Sequence, residues 1–210
     1  MAQVADQKQP SKTLTDQMRV LFKGVLEPIA AFFNRLGILP NTMTLIGLAG
    51  HTAGAFFLFQ GKMLVGGLIL FALAPIDALD GTMARLRGEP SSFGAFVDSV
   101  TDRYSELVIF LALIIFYAQQ SEWLNCIVVY TAAAGSVMVS YVRSRAESLG
   151  YEAKVGILTR MERYFVLIPA LVLNIPMVGL WIVAVMANVT AVQRIIHVRR
   201  QAREKIAKND

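Results

Sequence analysis

The chain has 210 residues, of which 55% are hydrophobic and only 17% are charged, and its formal net charge is +5. The high share of hydrophobic residues excludes a disordered chain. Because soluble domains carry about 25% charged residues, the low charged share argues against an ordinary soluble domain. One cysteine and two histidines also exclude a disulfide framework and a multi-cysteine metal centre. We therefore predict an all-α integral membrane protein whose basic charge meets an anionic lipid surface, with no nucleic acid as partner.

The N-terminal part is predicted to be a polar tail, residues 1–12, and an amphipathic helix, residues 13–39. Apolar side chains in the second segment recur at steps of three and four, and several basic side chains lie off this stripe. The segment carries too many charges to cross a bilayer, so we expect it to lie on the membrane interface. Pro40 and Asn41 are expected to end it.

Six apolar stretches follow, each close to the roughly 20 residues that a helix needs to cross a bilayer. They form one membrane domain, residues 40–200, followed by a basic tail, residues 201–210. Pro75 is expected to kink the second span. The predicted spans are residues 42–59, 63–85, 93–117, 123–142, 157–173 and 177–198, and the fourth is expected to run on as a helix to residue 149.

The distribution of basic residues predicts the orientation. If the N-terminus is cytoplasmic, the joints on the far side of the membrane carry only Lys62 of the twenty Lys and Arg residues. Basic residues accumulate on the cytoplasmic side of membrane proteins. We therefore predict a multi-pass protein of the plasma membrane with both termini in the cytoplasm.

The second and third spans contain four carboxylates: Asp77, Asp80, Asp98 and Asp102. A charge at the centre of a span costs about 2.5–3.5 kcal/mol on insertion scales, so these carboxylates require a compensating partner. Their spacings of three and four residues place each pair on one helix face, near the cytoplasmic end of two antiparallel helices. Oxygen-only ligands select Mg²⁺, Mn²⁺ or Ca²⁺, and two such ions are a known arrangement for phosphoryl chemistry.

The stretch that holds these carboxylates matches every fixed position of the pattern DxxDGxxAR, eight residues, GxxxDxxxD. In this pattern the chain resembles the CDP-alcohol phosphatidyltransferase family, over essentially its whole length. The resemblance implies an enzyme that moves the phosphatidyl group of CDP-diacylglycerol onto an alcohol and releases CMP at a site facing the cytoplasm. It also implies Mg²⁺ or Mn²⁺ as cofactor, with two ions, and a homodimer.

The resemblance implies a role for each residue of the pattern. All four aspartates would be metal ligands or neighbours of the metal, and Asp102 would also be the general base on the acceptor hydroxyl. The residues implied to line the CDP-lipid site are Gly81, Ala84, Arg85 and Gly94, with Asn41 and Thr44 at the start of the first span.

A second group of charges, around the last three spans, resembles the phosphatidylinositol phosphate synthase branch of that family. In this branch the acceptor is inositol 1-phosphate, and basic residues bind its phosphate. The chain departs from the branch at Thr159, where an acidic residue is usual, and at Arg143, where lysine is frequent. The acceptor residues implied are Arg143, Arg160, Arg163 and Arg194.

Three alternatives remain open from the sequence. Glycerol 3-phosphate as acceptor, or an ether-lipid (archaetidyl) donor, would preserve the same reaction. A cation transporter would use the intramembrane carboxylates as its pathway, but it does not require Gly81, Arg85 and Gly94 at these spacings.

Overall fold

The computed structural model describes residues 14–88 and 91–207, with the side chains of residues 23–207 other than 77, 89 and 90. The predicted polar tail, residues 1–12, lies outside this part. The described residues are all-helical, as predicted. They form eight helices: α1 (Leu14–Arg35), α2 (Pro40–Phe59), α3 (Met63–Leu73), α4 (Ile76–Leu86), α5 (Ser92–Gln119), α6 (Trp123–Ser148), α7 (Arg160–Val172) and α8 (Pro176–Ile206).

Four helical stretches in the described part of the chain are long and apolar enough to cross a membrane. They are Pro40–Phe59, Met63–Leu86, Trp123–Ser148 and Pro176–Ile206. Helix α5 carries several charged residues in its first half, and α7 has only 13 residues. A helix of that length rises about 20 Å, which is less than the roughly 30 Å of hydrocarbon in a bilayer. The count of six spans therefore stays a prediction.

Helix α1 ends at Arg35, before the predicted boundary at residue 39. Gly37 adopts a left-handed φ of 78°, and the amide of Ile38 then donates to the carbonyl of Phe33 at 3.2 Å. Glycine adopts this conformation without the steric cost of a Cβ atom. A glycine cap therefore ends α1, and Pro40 is the first residue of α2.

The predicted second span is divided into α3 and α4 at Pro75, in agreement with the kink expected there. Proline has no amide hydrogen to donate to the preceding turn, so the regular hydrogen-bond ladder stops at this point. The amide of Ala78 instead closes a turn onto the carbonyl of Pro75 at 3.1 Å. The break separates an apolar half from the half that carries the first two aspartates.

The main core lies among α2, α3 and α5–α8, in which α6 packs on α8, α2 on α5, and α7 on both α3 and α8. Leu113, Leu171 and Leu180 are fully buried in it. Two glycines let α2 and α3 approach closely. A Cβ atom on Gly50 would lie 2.7 Å from Leu73, and one on Gly54 would lie 3.0 Å from Leu70. This small-residue face thus packs helices within one protomer, and the predicted homodimer stays a prediction.

Helix α1 is attached to α4 by a small apolar cluster and a polar clasp. The cluster contains Leu26, Ala30, Met43, Leu79 and Met83. In the clasp, Asn34 accepts a hydrogen bond from Arg87 Nε at 2.7 Å and donates to the carbonyl of Met83 at 3.1 Å. Arg87 also donates to the carbonyl of Ile38 at 2.7 Å. Helix α4 is therefore held between α1 and α2.

Candidate active site

Asp80 accepts hydrogen bonds from a hydroxyl group and from a backbone amide. The residue is 7% exposed, and its Oδ2 accepts a hydrogen bond from the hydroxyl of Thr44 at 2.6 Å. Its Oδ1 accepts from the amide of Gly81 at 2.5 Å. Bonds from neutral donors orient a carboxylate and leave its negative charge in place, which is the state that binds a hard cation. The predicted donor-site residue Thr44 is thus brought directly to a predicted metal ligand.

Asn41 lies beside the beginning of α5. A Cβ atom on Gly94 would be 3.4 Å from Asn41 Oδ1 and 3.0 Å from Ser91 Oγ. Ser91 caps α5, since its hydroxyl oxygen accepts from the amide of Gly94 at 2.9 Å. The first turn of α2 therefore meets both helices of the pattern, with Thr44 reaching α4 and Asn41 reaching α5.

The exposed face of α4 combines a glycine with a guanidinium group. Arg85 donates from Nη2 to the hydroxyl of Thr82 at 2.8 Å, and its Nη1 would be 3.5 Å from a Cβ atom on Gly81. Ala84, the small residue before it, is partly buried. A small face with an adjacent guanidinium suits the approach of a phosphate group to the helix.

Asp102 contacts two arginines. Its Oδ1 lies 2.7 Å from Arg160 Nη1 on α7, and its Oδ2 lies 3.2 Å from Arg103 Nη2. The side chain of Asp102 is 12% exposed and that of Arg160 is 20% exposed. The structure therefore brings the predicted general base into contact with a predicted acceptor arginine, across helices far apart in the sequence.

The described carboxylates supply oxygen donors, which fit a hard divalent cation in type. Asp98 lies one turn before Asp102 on α5 and is partly buried, and α4 and α5 both pack against α2. Among the described side chains, which do not include Asp77, no three His, Cys, Asp or Glu residues form a group able to hold a metal ion. The four-aspartate metal site therefore stays a prediction, and its first member lies outside the described side chains.

Arg163 forms a buried ion pair with Glu106. The two side chains are 4% and 7% exposed, and Glu106 Oε1 accepts from Arg163 Nη2 at 2.6 Å and from Nε at 3.2 Å. Arg163 Nη1 also lies 3.5 Å from the carbonyl of Leu158. This predicted acceptor residue thus directs its donors into the protein and joins α5 to α7.

Arg194 joins α8 to two other parts of the chain. The residue is 2% exposed, and it donates from Nε to the carbonyl of Val155 at 2.9 Å and from Nη1 to that of Val139 at 2.6 Å. One turn earlier, the hydroxyl of Thr190 accepts from the amide of Leu158 at 3.1 Å. The segment between α6 and α7 is therefore fastened along one face of α8.

Arg143 lies at the exposed end of α6. It pairs with Glu147 one turn later at 2.9 Å, and both side chains are 46% exposed. Arg194 donates to the carbonyl of Val139, one turn before Arg143 on α6, and the carbonyl that Arg163 contacts, that of Leu158, belongs to the segment fastened to α8 beside Arg194. Three of the four predicted acceptor arginines therefore share one region, and the fourth, Arg160, lies one turn before Arg163 on α7.

Three residues at this site carried no predicted role in it. Arg103 contacts Asp102, and the ring of Tyr164 lies under Arg160, with 5.3 Å between the guanidinium carbon and the ring centroid. His51 contacts the hydroxyl of Tyr164 at 3.3 Å. The four-residue spacing of Arg160 and Tyr164 could have indicated their contact, because residues four apart are neighbours on a helix. The contact of His51 on α2 with Tyr164 on α7 could not be predicted from local sequence spacing.

The sequence is similar to that of known proteins. The sequence profile of the family described as CDP-alcohol phosphatidyltransferase matches residues 37–195. The chain is 36% identical over 208 residues to a phosphatidylinositol phosphate synthase of Streptomyces avermitilis, covering 91% of this chain and 84% of the relative. It is 33% identical over 189 residues to an archaetidylinositol phosphate synthase of Pyrococcus horikoshii, covering 90% and 98%.

Solved structures are also similar. The crystal structure of phosphatidylinositol phosphate synthase from Mycobacterium tuberculosis with CDP-DAG bound has a TM-score of 0.79 and 30% sequence identity, covering 83% of this chain and 93% of that chain. The structure of the same enzyme with manganese and citrate has a TM-score of 0.78 and 31% identity, covering 82% and 88%. From its pattern of aspartates, its helical fold and these similarities, the chain belongs to the CDP-alcohol phosphatidyltransferase family.

Proposed function

We propose that this chain is a membrane-embedded, divalent-metal-dependent enzyme of phospholipid biosynthesis. It transfers the phosphatidyl group of CDP-diacylglycerol onto inositol 1-phosphate, forms phosphatidylinositol phosphate and releases CMP. The observation that carries this proposal is the 2.7 Å contact between Asp102 Oδ1 and Arg160 Nη1. An arginine that binds the acceptor's phosphate at this point holds the acceptor's hydroxyl next to a carboxylate able to take its proton.

On the donor side, we assign the CDP-lipid to the groove where the first turn of α2 meets α4 and the beginning of α5. The small side chains of glycine and alanine leave room for the ligand to approach the helix backbone, and Arg85 supplies a guanidinium for the diphosphate. The crystal structure of the M. tuberculosis relative with CDP-DAG bound supports this class of donor. The residues assigned to the groove are Asn41, Thr44, Gly81, Ala84, Arg85 and Gly94.

We assign the metal site to Asp77, Asp80, Asp98 and Asp102, with two Mg²⁺ or Mn²⁺ ions. When bound there, such ions neutralise the diphosphate and stabilise the leaving phosphate. The manganese complex of the M. tuberculosis relative supports a divalent cation. The hydroxyl of Thr44 fixes one of these carboxylates in advance, since it donates to Asp80 at 2.6 Å.

The transfer step then follows from the positions of the side chains. The acceptor hydroxyl oxygen attacks the phosphorus that carries the diacylglycerol, and its proton passes to a carboxylate oxygen of Asp102. The bond from this phosphorus to the bridging oxygen breaks in line, and CMP leaves with that oxygen and its electron pair. Asp102 returns the proton to water at the cytoplasmic surface.

On the acceptor side, we assign direct contact with the phosphate of inositol 1-phosphate to Arg160 and Arg143, whose side chains are 20% and 46% exposed. We assign Arg163 and Arg194, which are buried, to the protein side of the same phosphate site. Their hydrogen bonds hold α7 and the preceding segment in place. A phosphate supplies an anionic partner for the guanidinium groups of Arg160 and Arg143, which favours a phosphorylated acceptor over a neutral alcohol.

For the membrane arrangement, we propose six spans, with α3 and α4 together forming the second, and α1 lying on the cytoplasmic interface. The exposed apolar side chains of α1, among them Val25, Ile29 and Phe32, suit contact with lipid. The 13 residues of α7 rise about 20 Å. If the C-terminal end of α7 lies at the far surface, Arg160 then lies about 10 Å inside the cytoplasmic boundary of the hydrocarbon, at the depth of the aspartates.

The proposed function is tested by CMP release from the purified enzyme with Mg²⁺ or Mn²⁺. CDP-diacylglycerol is supplied as donor, and the acceptors compared are inositol 1-phosphate, inositol, glycerol 3-phosphate and serine. We expect release only with inositol 1-phosphate. Release with glycerol 3-phosphate instead would overturn the acceptor assignment. Release only when an ether-linked donor replaces CDP-diacylglycerol would overturn the assignment of the donor lipid.

Two arginine variants, Arg160→Ala and Arg145→Ala, test the acceptor site in the same assay. Arg160→Ala is expected to raise the KM for inositol 1-phosphate about tenfold or more, because a charge-assisted contact with phosphate is lost. Arg145→Ala is the matched control, since Arg145 is exposed at the same end of the bundle. A change confined to the KM for CDP-diacylglycerol would assign Arg160 to the donor.

A further inference from the structure

We propose that Tyr164, held by His51, is a positioning residue that seats Arg160 for the acceptor's phosphate, an inference that rests on the proposed function. Arg160 extends over the ring of Tyr164, with 5.3 Å from its guanidinium carbon to the ring centroid. This distance lies within the range of cation–π attraction. The ring of Tyr164 supports one side of the planar guanidinium of Arg160, while Nη1 at the edge of that guanidinium lies 2.7 Å from Asp102 Oδ1. Two fixed contacts restrict a side chain that otherwise has many rotamers.

The ring of Tyr164 is itself fixed from α2. His51 is 1% exposed, and its Nδ1 lies 2.8 Å from the carbonyl oxygen of Gly47. A carbonyl oxygen can only accept, so Nδ1 carries the hydrogen in this contact. Nε2 of the neutral ring is then the acceptor, and the hydroxyl of Tyr164 donates to it at 3.3 Å. The series of contacts runs from the backbone of α2, through His51 and Tyr164, to Arg160.

One face of α2 thereby positions groups for both substrates. Thr44 and His51 are seven residues apart, two helical turns, and both are buried. Thr44 orients Asp80 on the donor side, and His51 orients Tyr164 on the acceptor side. A single rigid helix therefore sets the distance between the donor's metal-binding carboxylate and the arginine for the acceptor. This distance decides whether the hydroxyl reaches the phosphorus in line.

The test compares Tyr164→Leu with Tyr164→Phe in the CMP-release assay. Leucine removes the ring, so the KM for inositol 1-phosphate is expected to rise about 5- to 30-fold, with the KM for CDP-diacylglycerol changed less than about twofold. Phenylalanine keeps the ring face and is expected to stay within about threefold of wild type. Tyr130→Leu is the matched control, because Tyr130 is 67% exposed at the opposite end of the bundle.

Equal effects of leucine and phenylalanine, or a fall in kcat with both KM values unchanged, would overturn the positioning role. If Tyr164→Leu fails to fold, His51→Leu is added to Tyr164→Phe, which leaves an apolar pair and retains the ring. This double variant should raise the acceptor KM about two- to fivefold above Tyr164→Phe, since the lateral support of the ring is lost. An unchanged acceptor KM would overturn the inference.

The two proposals fail in distinguishable ways. A wild-type enzyme that releases no CMP with inositol 1-phosphate overturns the proposed function, and this inference falls with it. An active wild-type enzyme whose Tyr164→Leu variant keeps the acceptor KM overturns only the role of Tyr164.

Discussion

The two halves of the candidate site differ in how the chain brings them together. The donor half comprises the first turn of α2, α4 and the first turns of α5, and most of its residues lie in two helices joined by a short loop. The acceptor half comprises the end of α6, the segment up to α7, the first turn of α7 and the middle of α8. Its four arginines are spread over residues 143–194. The donor half is thus local in sequence, and the acceptor half depends on tertiary packing.

The contacts within the halves also differ. On the donor side, Asp80 accepts hydrogen bonds from a hydroxyl and an amide, which preserve its charge. On the acceptor side, Arg163 binds a carboxylate and Arg194 binds two backbone carbonyls, deep in the protein. The comparison teaches that a carboxylate prepared for a cation needs neutral support, whereas buried arginines need partners of their own and become structural elements.

The largest expected effect separates two aspartates of α5. Asp98→Asn should lower CMP release about 1000-fold or more and raise the metal concentration required, because it removes a charged metal ligand. Asp102→Asn should lower kcat about 10²- to 10⁴-fold, with little change in the KM for CDP-diacylglycerol, because it removes the base. The measurement is CMP release as a function of Mg²⁺ and of donor concentration.

Glu204→Gln is the control for these variants, since Glu204 is an exposed carboxylate on α8 away from the aspartates. An equal loss of donor binding in both α5 variants would remove the assignment of Asp102 as base.

The second prediction concerns the buried ion pair of Glu106 and Arg163 in the acceptor half. Glu106→Leu should destabilise the protein by about 3–5 kcal/mol, because it leaves Arg163 buried without its partner. The double change Glu106→Leu with Arg163→Met should recover much of this loss, since no unpaired charge remains. Thermal unfolding in detergent micelles measures both. A double variant no more stable than the single one would mean that the pair does more than neutralise its own charges.

The third prediction concerns the neutral support on the donor side. Thr44→Val keeps the shape of the side chain and removes the hydroxyl that bonds to Asp80 at 2.6 Å. A hydrogen bond to a charged group contributes about 1.5–3 kcal/mol, so we expect CMP release at limiting Mg²⁺ to fall about 10- to 100-fold. Thr52→Val is the matched control, because the hydroxyl of Thr52 donates to the carbonyl of Leu48 on the exposed face of α2. Equal activity of the two variants would contradict a role for Thr44 in orienting Asp80.

The smallest effect is expected at the exposed rim of the acceptor half. Glu147→Gln removes the partner of Arg143, in a pair whose side chains are both 46% exposed. Pairs of this kind on helices contribute about 0.3–0.5 kcal/mol, so the unfolding midpoint should shift by no more than about 2 °C. The KM for inositol 1-phosphate should stay equal or fall, because Arg143 then faces less competition for the phosphate. A clear rise in that KM would contradict direct contact between Arg143 and the acceptor.

The sequence predicted the features that depend on local spacing. The all-helical fold and the break at Pro75 follow from periodicity and proline chemistry. The resemblance implied a donor-site role for Thr44, but its hydrogen bond to Asp80 became apparent only in the structure. The end of α1 was placed too late, because the glycine cap at Gly37 stops the helix before Pro40 does. Hydropathy also extended the fifth span beyond the 13 helical residues of α7, since an apolar segment before a helix looks the same as the helix itself.

The acceptor side was harder to predict for a physical reason. An arginine near the end of a span can bind lipid, ligand or protein, and its spacing along the helix does not distinguish these partners. Arg163 finds Glu106, and Arg194 finds two carbonyls, only after α5, α6, α7 and α8 have packed. The contact of His51 with Tyr164 likewise joins helices separated by most of the chain.

The clasp between Asn34 and Arg87 ties α4 to α1. Asn34 lies in the last turn of α1, and Arg87 directly follows α4, so the clasp holds α4 at the end farthest from the break at Pro75. If α1 lies in the headgroup layer as proposed, its depth there also sets the depth of α4. In that arrangement, we expect bilayer thickness and headgroup packing to act on catalysis through α1 and the clasp.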